Sequence, residues 1–345
     1  MKIRKLRNTL YVTTPESHLS RDGENIVISL EGTERFRMPI HNLESIVCFN
    51  YMGVTPGLMQ LCTERSVGLC FVSPYGKFLG RVTGGKVGNV LLRRKHFNMT
   101  ENNDSTIAIA VNFITGKILN SRAVLSRAVR DHADKINANA VRDVIKYHEN
   151  SITKLLKCTT YDTILGIEGD CSKAYFSVFN ELIVAQKEDF YLNGRSRRPP
   201  LDHVNALLSF FYTLLARDVE SALETVGLDP YLGFLHRARP GRASLALDLM
   251  EELRPYIVDR FVLSMLNRKQ VTKTDFILKE NGAVLLCDDS RKSILQEWQK
   301  RKQEEITHPF LEEKIPIGLL SYSQAMLLAR FIRGDLEAYP PFLWK

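Results

Sequence analysis

The feature that most restricts this chain is a change of hydrophobic period near residue 95 that never reverts. Before it, TLYVTT, IVISLEG, ERFRMPI and SIVCF alternate or carry β-branched residues, with turn formers such as RDGEN between them. After it, Ile107, Val111, Ile114, Ile118 and Leu125 recur at threes, fours or their sum, the spacing of one helix face. Similar stretches at 170–186, 203–226, 244–265, 291–305 and 322–336 predict further helices. Strand side chains repeat every two residues and helix side chains every 3.6, so one kind of element cannot continue across the change. The expectation is an α+β chain: an N-terminal β-sandwich-like domain over 1–90, a linker over 91–103 and a larger, mainly α-helical domain over 104–345. One helix, TPGLMQLCTERS, interrupts the β region. Hairpins are expected around Pro74–Gly76 and around Asn281-Gly282.

At 345 residues the chain exceeds the size one core usually supports, which agrees with two domains. No apolar run is long enough to span a bilayer, and the basic start MKIRKLRNTLYVTT lacks the apolar segment of a signal peptide, so a cytoplasmic location is expected. Cys48, Cys62, Cys70, Cys158, Cys171 and Cys287 contain no CxxC pair, which argues for buried free thiols over a zinc ribbon or disulfide framework. The net charge of +8 points to a polyanionic partner, but it is uneven. Residues 1–95 carry 14 basic against 7 acidic side chains, and the remainder 33 against 32. An anion site in the helical part must therefore come from local clusters.

Three clusters qualify. In LHRARPGRASLALDLMEELRP (235–255), Leu245, Ala246, Leu249, Met250 and Leu253 share one helical arc, while Asp248, Glu251 and Glu252 share the opposite one. Such acids are ordinarily a solvated face, yet His236 lies upstream across a Pro240-Gly241 loop carrying Arg237, Arg239 and Arg242. That combination matches a divalent-metal site beside a phosphate clamp. In ILGIEGDCSKAY (164–175), Glu168 is expected in a Gly-flanked turn before a helix starting near Asp170, open to a ligand, with Lys173 and Tyr175 facing a phosphate. In LNGRSRRPPLDHVNALL, Arg195, Arg197 and Arg198 precede a helix beginning near Asp202 with Asn205 in its first turn, a pattern suited to contacting a nucleic-acid backbone.

With these clusters in place, the chain resembles the CRISPR-associated integrases, the adaptation nucleases of CRISPR systems, and most closely the type I-C version. The likeness runs through GKILNSRAVLSR, GIEG, RSRRPPLDHVNALLSFFYTLL, DPYLGFLHRARPGRASLALDLMEELRPYIVDR and QAMLLARFIRGDLEAYPPF. It implies metal ligands at Glu168, His236 and Glu251 holding Mg²⁺ or Mn²⁺, with Asp248 the further acid of the site and Glu252 an alternative to Glu251. It also implies a helical catalytic domain, a homodimer built through the N-terminal domain, and insertion of captured DNA fragments into a CRISPR repeat by attack of a 3′-hydroxyl. A small ferredoxin-like CRISPR partner completing a heterohexamer, and an iron–sulfur exonuclease, are the implied protein partners. The residues alone leave open a non-catalytic nucleic-acid scaffold, a partner-binding structural protein and a phosphodiesterase acting on RNA.

Overall fold

The computed structural model describes residues 8–49, 52–73, 78–82, 84, 90–196 and 198–344. The expected turn at Pro74–Gly76 lies outside them. The chain divides into two compact units, residues 1–88 with 286–304 and residues 89–285 with 305–345.

The first unit begins with eight strands: β1 (Asn8–Val12), β2 (His18–Asp22), β3 (Asn25–Leu30), β4 (Thr33–Pro39), β5 (Leu43–Phe49), β6 (Gly53–Val54), β7 (Gly68–Val72) and β8 (Phe78–Val82), with α1 (Pro56–Glu64) between β6 and β7. They form two four-stranded sheets, ordered β1-β5-β7-β8 and β4-β3-β2-β6. In the first sheet β1, β5 and β7 run parallel and β8 returns antiparallel. In the second, β2, β3 and β4 form an antiparallel meander. Alternation puts Leu19, Ile26, Ile46 and Leu69 into one core that α1 completes with Leu58, Leu61 and Cys62. Each such aliphatic side chain contributes about 1.5–3 kcal/mol when fully buried. Pro56 opens α1, and the Thr55 side chain accepts from Leu58 N.

The second unit opens with α2 (Val90–Glu101), α3 (Asn103–His132), α4 (Ala138–Leu155), α5 (Tyr161–Ser177), α6 (His203–Thr225), α7 (Ser244–Arg254) and α8 (Arg260–Asn267). A two-stranded ribbon, β9 (Phe276–Leu278) with β10 (Val284–Leu286), follows at the expected Asn281-Gly282 hairpin. Next, α9 (Asp288–Gln303) returns to the first unit. A second ribbon, β11 (Glu305–Thr307) with β12 (Lys314–Pro316), and α10 (Leu320–Arg333) close the second unit. Its long central helix α3 buries Ile114, Ile118 and Leu125 of the face read from the periodicity, with Ile107 and Val111 of that face half-buried, and also buries Ile109, Ala110, Phe113 and Val124.

Four expectations need correction. The stretch 91–103 is mostly the helix α2 rather than a linker: Leu92 and His96 are buried one turn apart, and His96 Nε2 lies 2.9 Å from the Leu232 carbonyl oxygen. Residues 286–304 belong with the first unit, where Ile294, Leu295 and Trp298 of α9 are buried and Gln299 donates to the Thr9 carbonyl at 2.7 Å. Glu168 is inside α5, not in a turn before it. Flanked by two glycines, it gains its helical backbone from the packing of Ile164, Cys171 and Tyr175 on the same element. Finally, the 244–265 helix is interrupted by a π-helical turn over Pro255–Asp259. Pro255 has no N–H, and its ring crowds the carbonyl four residues back, which forces the ladder open there.

Two glycines set close approaches. A Cβ at Gly116 of α3 would stand 2.7 Å from the Glu252 Cβ on α7, and one at Gly233 would stand 2.7 Å from an Asp248 carboxylate oxygen. Glycine is therefore what allows α3, and the loop before α7, to press against the acidic face of α7. No helix among the described residues is long and apolar enough to cross a membrane, and all six cysteines are free.

Candidate active site

Helix α7 carries three acids that are all buried, Asp248, Glu251 and Glu252 at 0, 4 and 0% exposure. The solvated acidic face of an isolated amphipathic helix does not exist here, because α3, α6 and α10 enclose it. Each acid faces a different set of partners.

Asp248 has all its acceptor capacity filled. One oxygen accepts from the backbone N–H groups of Phe234 (2.6 Å) and Leu235 (2.9 Å). The other takes the His236 N–H at 2.8 Å and the His236 Nδ1 at 2.6 Å. A carboxylate only accepts, so Nδ1 carries the hydrogen, and in the neutral ring Nε2 presents its lone pair. Asp248 thus folds the loop over itself and selects the tautomer able to ligate a metal. With no acceptor position left, it orients the imidazole rather than adding a ligand of its own.

Glu251 meets two cations, Lys117 Nζ at 2.8 Å and Arg254 Nη2 at 2.7 Å. Burial pushes its carboxyl upward, but Arg254 and Lys117, aided by His236, override this and hold its pKa at about 2. The same Lys117 ammonium donates to Glu168 of α5, which also accepts from Ser172 Oγ, one turn on, at 2.9 Å. Glu168 and Glu251, 83 residues apart in sequence, therefore share one positive charge. The flanks of Glu168 are bare: a Cβ at Gly166 or Gly169 would meet nothing within 4 Å.

Glu252 meets a separate set of partners from Glu251. It accepts from Tyr339 OH (2.5 Å), Gln324 Nε2 (2.7 Å) and Phe342 N (3.2 Å), and burial lifts its pKa to about 8 against those donors. Asn120 of α3 ties the same segment down, donating to the Glu252 carbonyl at 2.7 Å and the Phe342 carbonyl at 2.8 Å, and accepting from Trp344 N at 2.8 Å.

Beside Lys117 and Glu168 opens a cavity of about 630 Å³. At its far wall Tyr212 donates to Asp259 at 2.5 Å, and the guanidiniums of Arg254 and Arg195 lie 5.1 and 5.5 Å from the Tyr212 ring centre. Burial raises the Asp259 pKa to about 6, opposed by Tyr212 and Arg195.

The expected anion-binding residues divide. Lys173 is exposed at the rim of this cavity, and Arg198, Arg237 and Arg239 are exposed. Arg237 rests on the Tyr161 ring at 5.0 Å, and Arg242 donates to the Arg237 carbonyl and to Ser244 Oγ, which fixes the loop. Arg197 lies outside the described residues. Tyr175 does not face a phosphate: it is buried, with its ring packed on Phe176 and Phe179. Asn205 is fully buried and acts as a staple, its Oδ1 accepting from Arg195 and from Ser196 N, its Nδ2 donating to the Gly194 carbonyl. Arg195 is thereby aimed at the cavity.

Lys117, Arg254 and the Tyr212–Asp259 pair were not singled out from the sequence. Lys117 had a legible signal: it sits three residues after Ile114 and four after Phe113, in phase with the apolar arc of α3, where an ammonium needs a buried partner.

A hard divalent cation suits this donor set, two carboxylates and an imidazole nitrogen whose ring is held through its other nitrogen. Among the described residues, however, no three such side chains stand close enough to hold an ion as they are. The Lys117 ammonium lies where the two carboxylates meet.

Comparison with known proteins decides the family. The family model described as "CRISPR associated protein Cas1" matches residues 10–300. The chain belongs to the Cas1 family. The CRISPR-associated endonuclease Cas1 1 of Chlorobaculum tepidum is 49% identical, covering 99% of this chain and all of that one. Among solved structures, a casposase bound to integration product superposes with a TM-score of 0.84 at 22% identity, covering 99% of this chain and 95% of the other. A Cas6-RT-Cas1–Cas2 complex aligns with a TM-score of 0.83 at 20% identity over all of this chain and 37% of that one. These structural likenesses establish the Cas1 fold, and its strand-rich start and helical remainder are the α+β arrangement expected.

Proposed function

We propose that this Cas1 protein is a metal-dependent DNA endonuclease and integrase that inserts captured fragments into a CRISPR array. The observation that carries the reading is the meeting of Glu168 and Glu251 on a single positive charge, with His236 turned by Asp248 so that Nε2 is free. Glu168, His236 Nε2 and Glu251 are the groups that would hold Mg²⁺ or Mn²⁺. When bound, such an ion supplies Lewis-acid polarisation of the scissile phosphate. Arg254 keeps Glu251 ionised. Asp248 holds the Nδ1 hydrogen of His236, so that the neutral ring presents its Nε2 lone pair. Arg195, Arg198, Arg237, Arg239 and Lys173 supply positive charge along the path of a phosphate backbone, contacts that fix register without reading bases.

In the transfer step, the 3′-oxygen of a fragment bonds to a repeat phosphorus, and the bond from that phosphorus to the repeat's own 3′-oxygen breaks. With water as the nucleophile, the same exchange is endonucleolytic cleavage. A homodimer through the N-terminal unit, a small ferredoxin-like CRISPR partner completing a heterohexamer, and an iron–sulfur exonuclease supplying fragments belong to the same reading. It is tested by a supercoiled-plasmid integration assay with Glu168→Ala, His236→Ala and Glu251→Ala, with and without chelator and the small partner. Each variant is expected to abolish joining while remaining folded. Joining at the wild-type rate by all three, or joining insensitive to chelator, overturns the assignment.

A further inference from the structure

We propose that Lys117 is a displaceable internal counter-ion: it closes the Glu168–Glu251 site when no divalent ion is present, and its ammonium must swing aside before one can bind. The inference rests on the reading of that pair as metal ligands, and it concerns a residue outside the ligand set. The Lys117 ammonium lies 2.8 Å from Glu251, donates to Glu168 and reaches both carboxylates from the neighbouring turn of α3. It therefore competes with any cation for the same oxygens.

Formal charge supports displacement. Glu168 and Glu251 are balanced by Lys117 and Arg254. A divalent ion added to all four would leave two uncompensated positive charges around a carboxylate that is 4% exposed, an arrangement low-dielectric surroundings penalise heavily. With the ammonium gone from between the carboxylates, one positive charge remains, the complement of one phosphodiester.

Lys117 is the cation free to leave. Its flexible stem ends at the cavity of about 630 Å³, whose wall it shares with Glu168 and Ser172. Arg254, by contrast, is paired with one of the two carboxylates, Glu251, and does not bridge them, and its guanidinium is held on the Tyr212 ring at 5.1 Å. The backbone of α3 is pinned on either side, by the close contact of Gly116 with Glu252 and by the hydrogen bonds of Asn120. Only the side chain of Lys117 has to move.

The test is Mn²⁺ binding to the full-length protein, followed by the electron paramagnetic resonance signal of the free ion, for wild type, Lys117→Met, Lys117→Arg and Glu251→Gln. Lys117→Met is expected to bind Mn²⁺ about tenfold more tightly, a gain of about 1.4 kcal/mol from a competitor removed. Lys117→Arg, which keeps the charge, should stay within about threefold of wild type, and Glu251→Gln should weaken binding. A second readout guards against poor folding: without metal Lys117→Met should melt below wild type, and the deficit should close as Mn²⁺ is added. If Glu251→Gln weakens binding while Lys117→Met binds no tighter than wild type, the counter-ion proposal falls and the site assignment stands. If Glu251→Gln leaves Mn²⁺ binding unchanged, the site assignment falls and takes the proposal with it.

Discussion

Replacing Asp248 with asparagine separates the orienting role of this acid from any role as a ligand. The carboxylate now accepts four hydrogen bonds, three from the backbone N–H groups of Phe234, Leu235 and His236 and one from His236 Nδ1. An amide has one accepting oxygen and one donating nitrogen. In the better orientation, the oxygen keeps Phe234 and Leu235, and the NH₂ faces the His236 N–H and Nδ1. One buried backbone donor then loses its acceptor, at about 1–3 kcal/mol, and the remaining bonds lose their charge assistance, so about 2–4 kcal/mol of stability should go. The imidazole must also invert its tautomer, accepting at Nδ1 and carrying its hydrogen on Nε2, which removes the lone pair a metal needs. Urea unfolding gives the first quantity, and the ¹⁵N shifts of the His236 ring give the second. An Asp248→Asn protein with unchanged urea midpoint and an unchanged Nδ1–H tautomer would refute the reasoning. Retained tautomer with the predicted stability loss would place the amide the other way round and leave two donors unpaired.

Two further outcomes follow from buried contacts. Gly116→Ala places a methyl 2.7 Å from the Glu252 Cβ, so α3 and α7 must part; a loss of about 1–3 kcal/mol in urea melts, with integration lost in parallel, is expected, and an unaltered midpoint would show that the helices have slack. Stability should depend on pH in opposite senses through two neighbouring acids. Glu251, held at about 2 against its ordinary 4.5, contributes stability above 4.5 that is lost as pH falls towards 2. Glu252, lifted to about 8, keeps its proton in the folded chain after the unfolded chain has released it, so stability falls by about 1 kcal/mol per unit as pH rises from 4.5 to 8. Between pH 6 and 8, above the titration of Asp259, urea midpoints should fall more steeply in wild type than in Glu252→Gln; equal slopes in both would contradict the assignment.

How much of this was legible depended on whether the signal was local. The change of period located the strand-rich and helical regions, because side-chain patterning is fixed within a few residues. The ligand candidates Glu168, His236 and Glu251 were readable as residue types beside glycines and arginines. The backbone under Glu168 was misjudged because two glycines disfavour a helix locally, whereas tertiary burial of Ile164, Cys171 and Tyr175 restores it. The acids of α7 read as solvated, since nothing in a single helix shows that other helices enclose its polar side. The return of α9 to the first unit was invisible for a related reason: its sequence, DDSRKSILQEWQKRKQ, is mostly polar, and only Ile294, Leu295 and Trp298 reveal the contact. Lys117 was legible only as a cation out of place.

The segment 339–344 makes the acidic helix depend on a part of the chain remote from it in sequence. Its Tyr339 and Phe342 supply donors that Glu252 depends on, and Asn120 is stitched to Phe342 and Trp344. The wall behind the acidic helix is thus closed by a segment 87 to 90 residues farther along the chain than Glu252. Cutting the chain between the two would strip the buried Glu252 carboxyl and Asn120 of these partners while leaving Glu168 and His236 in place.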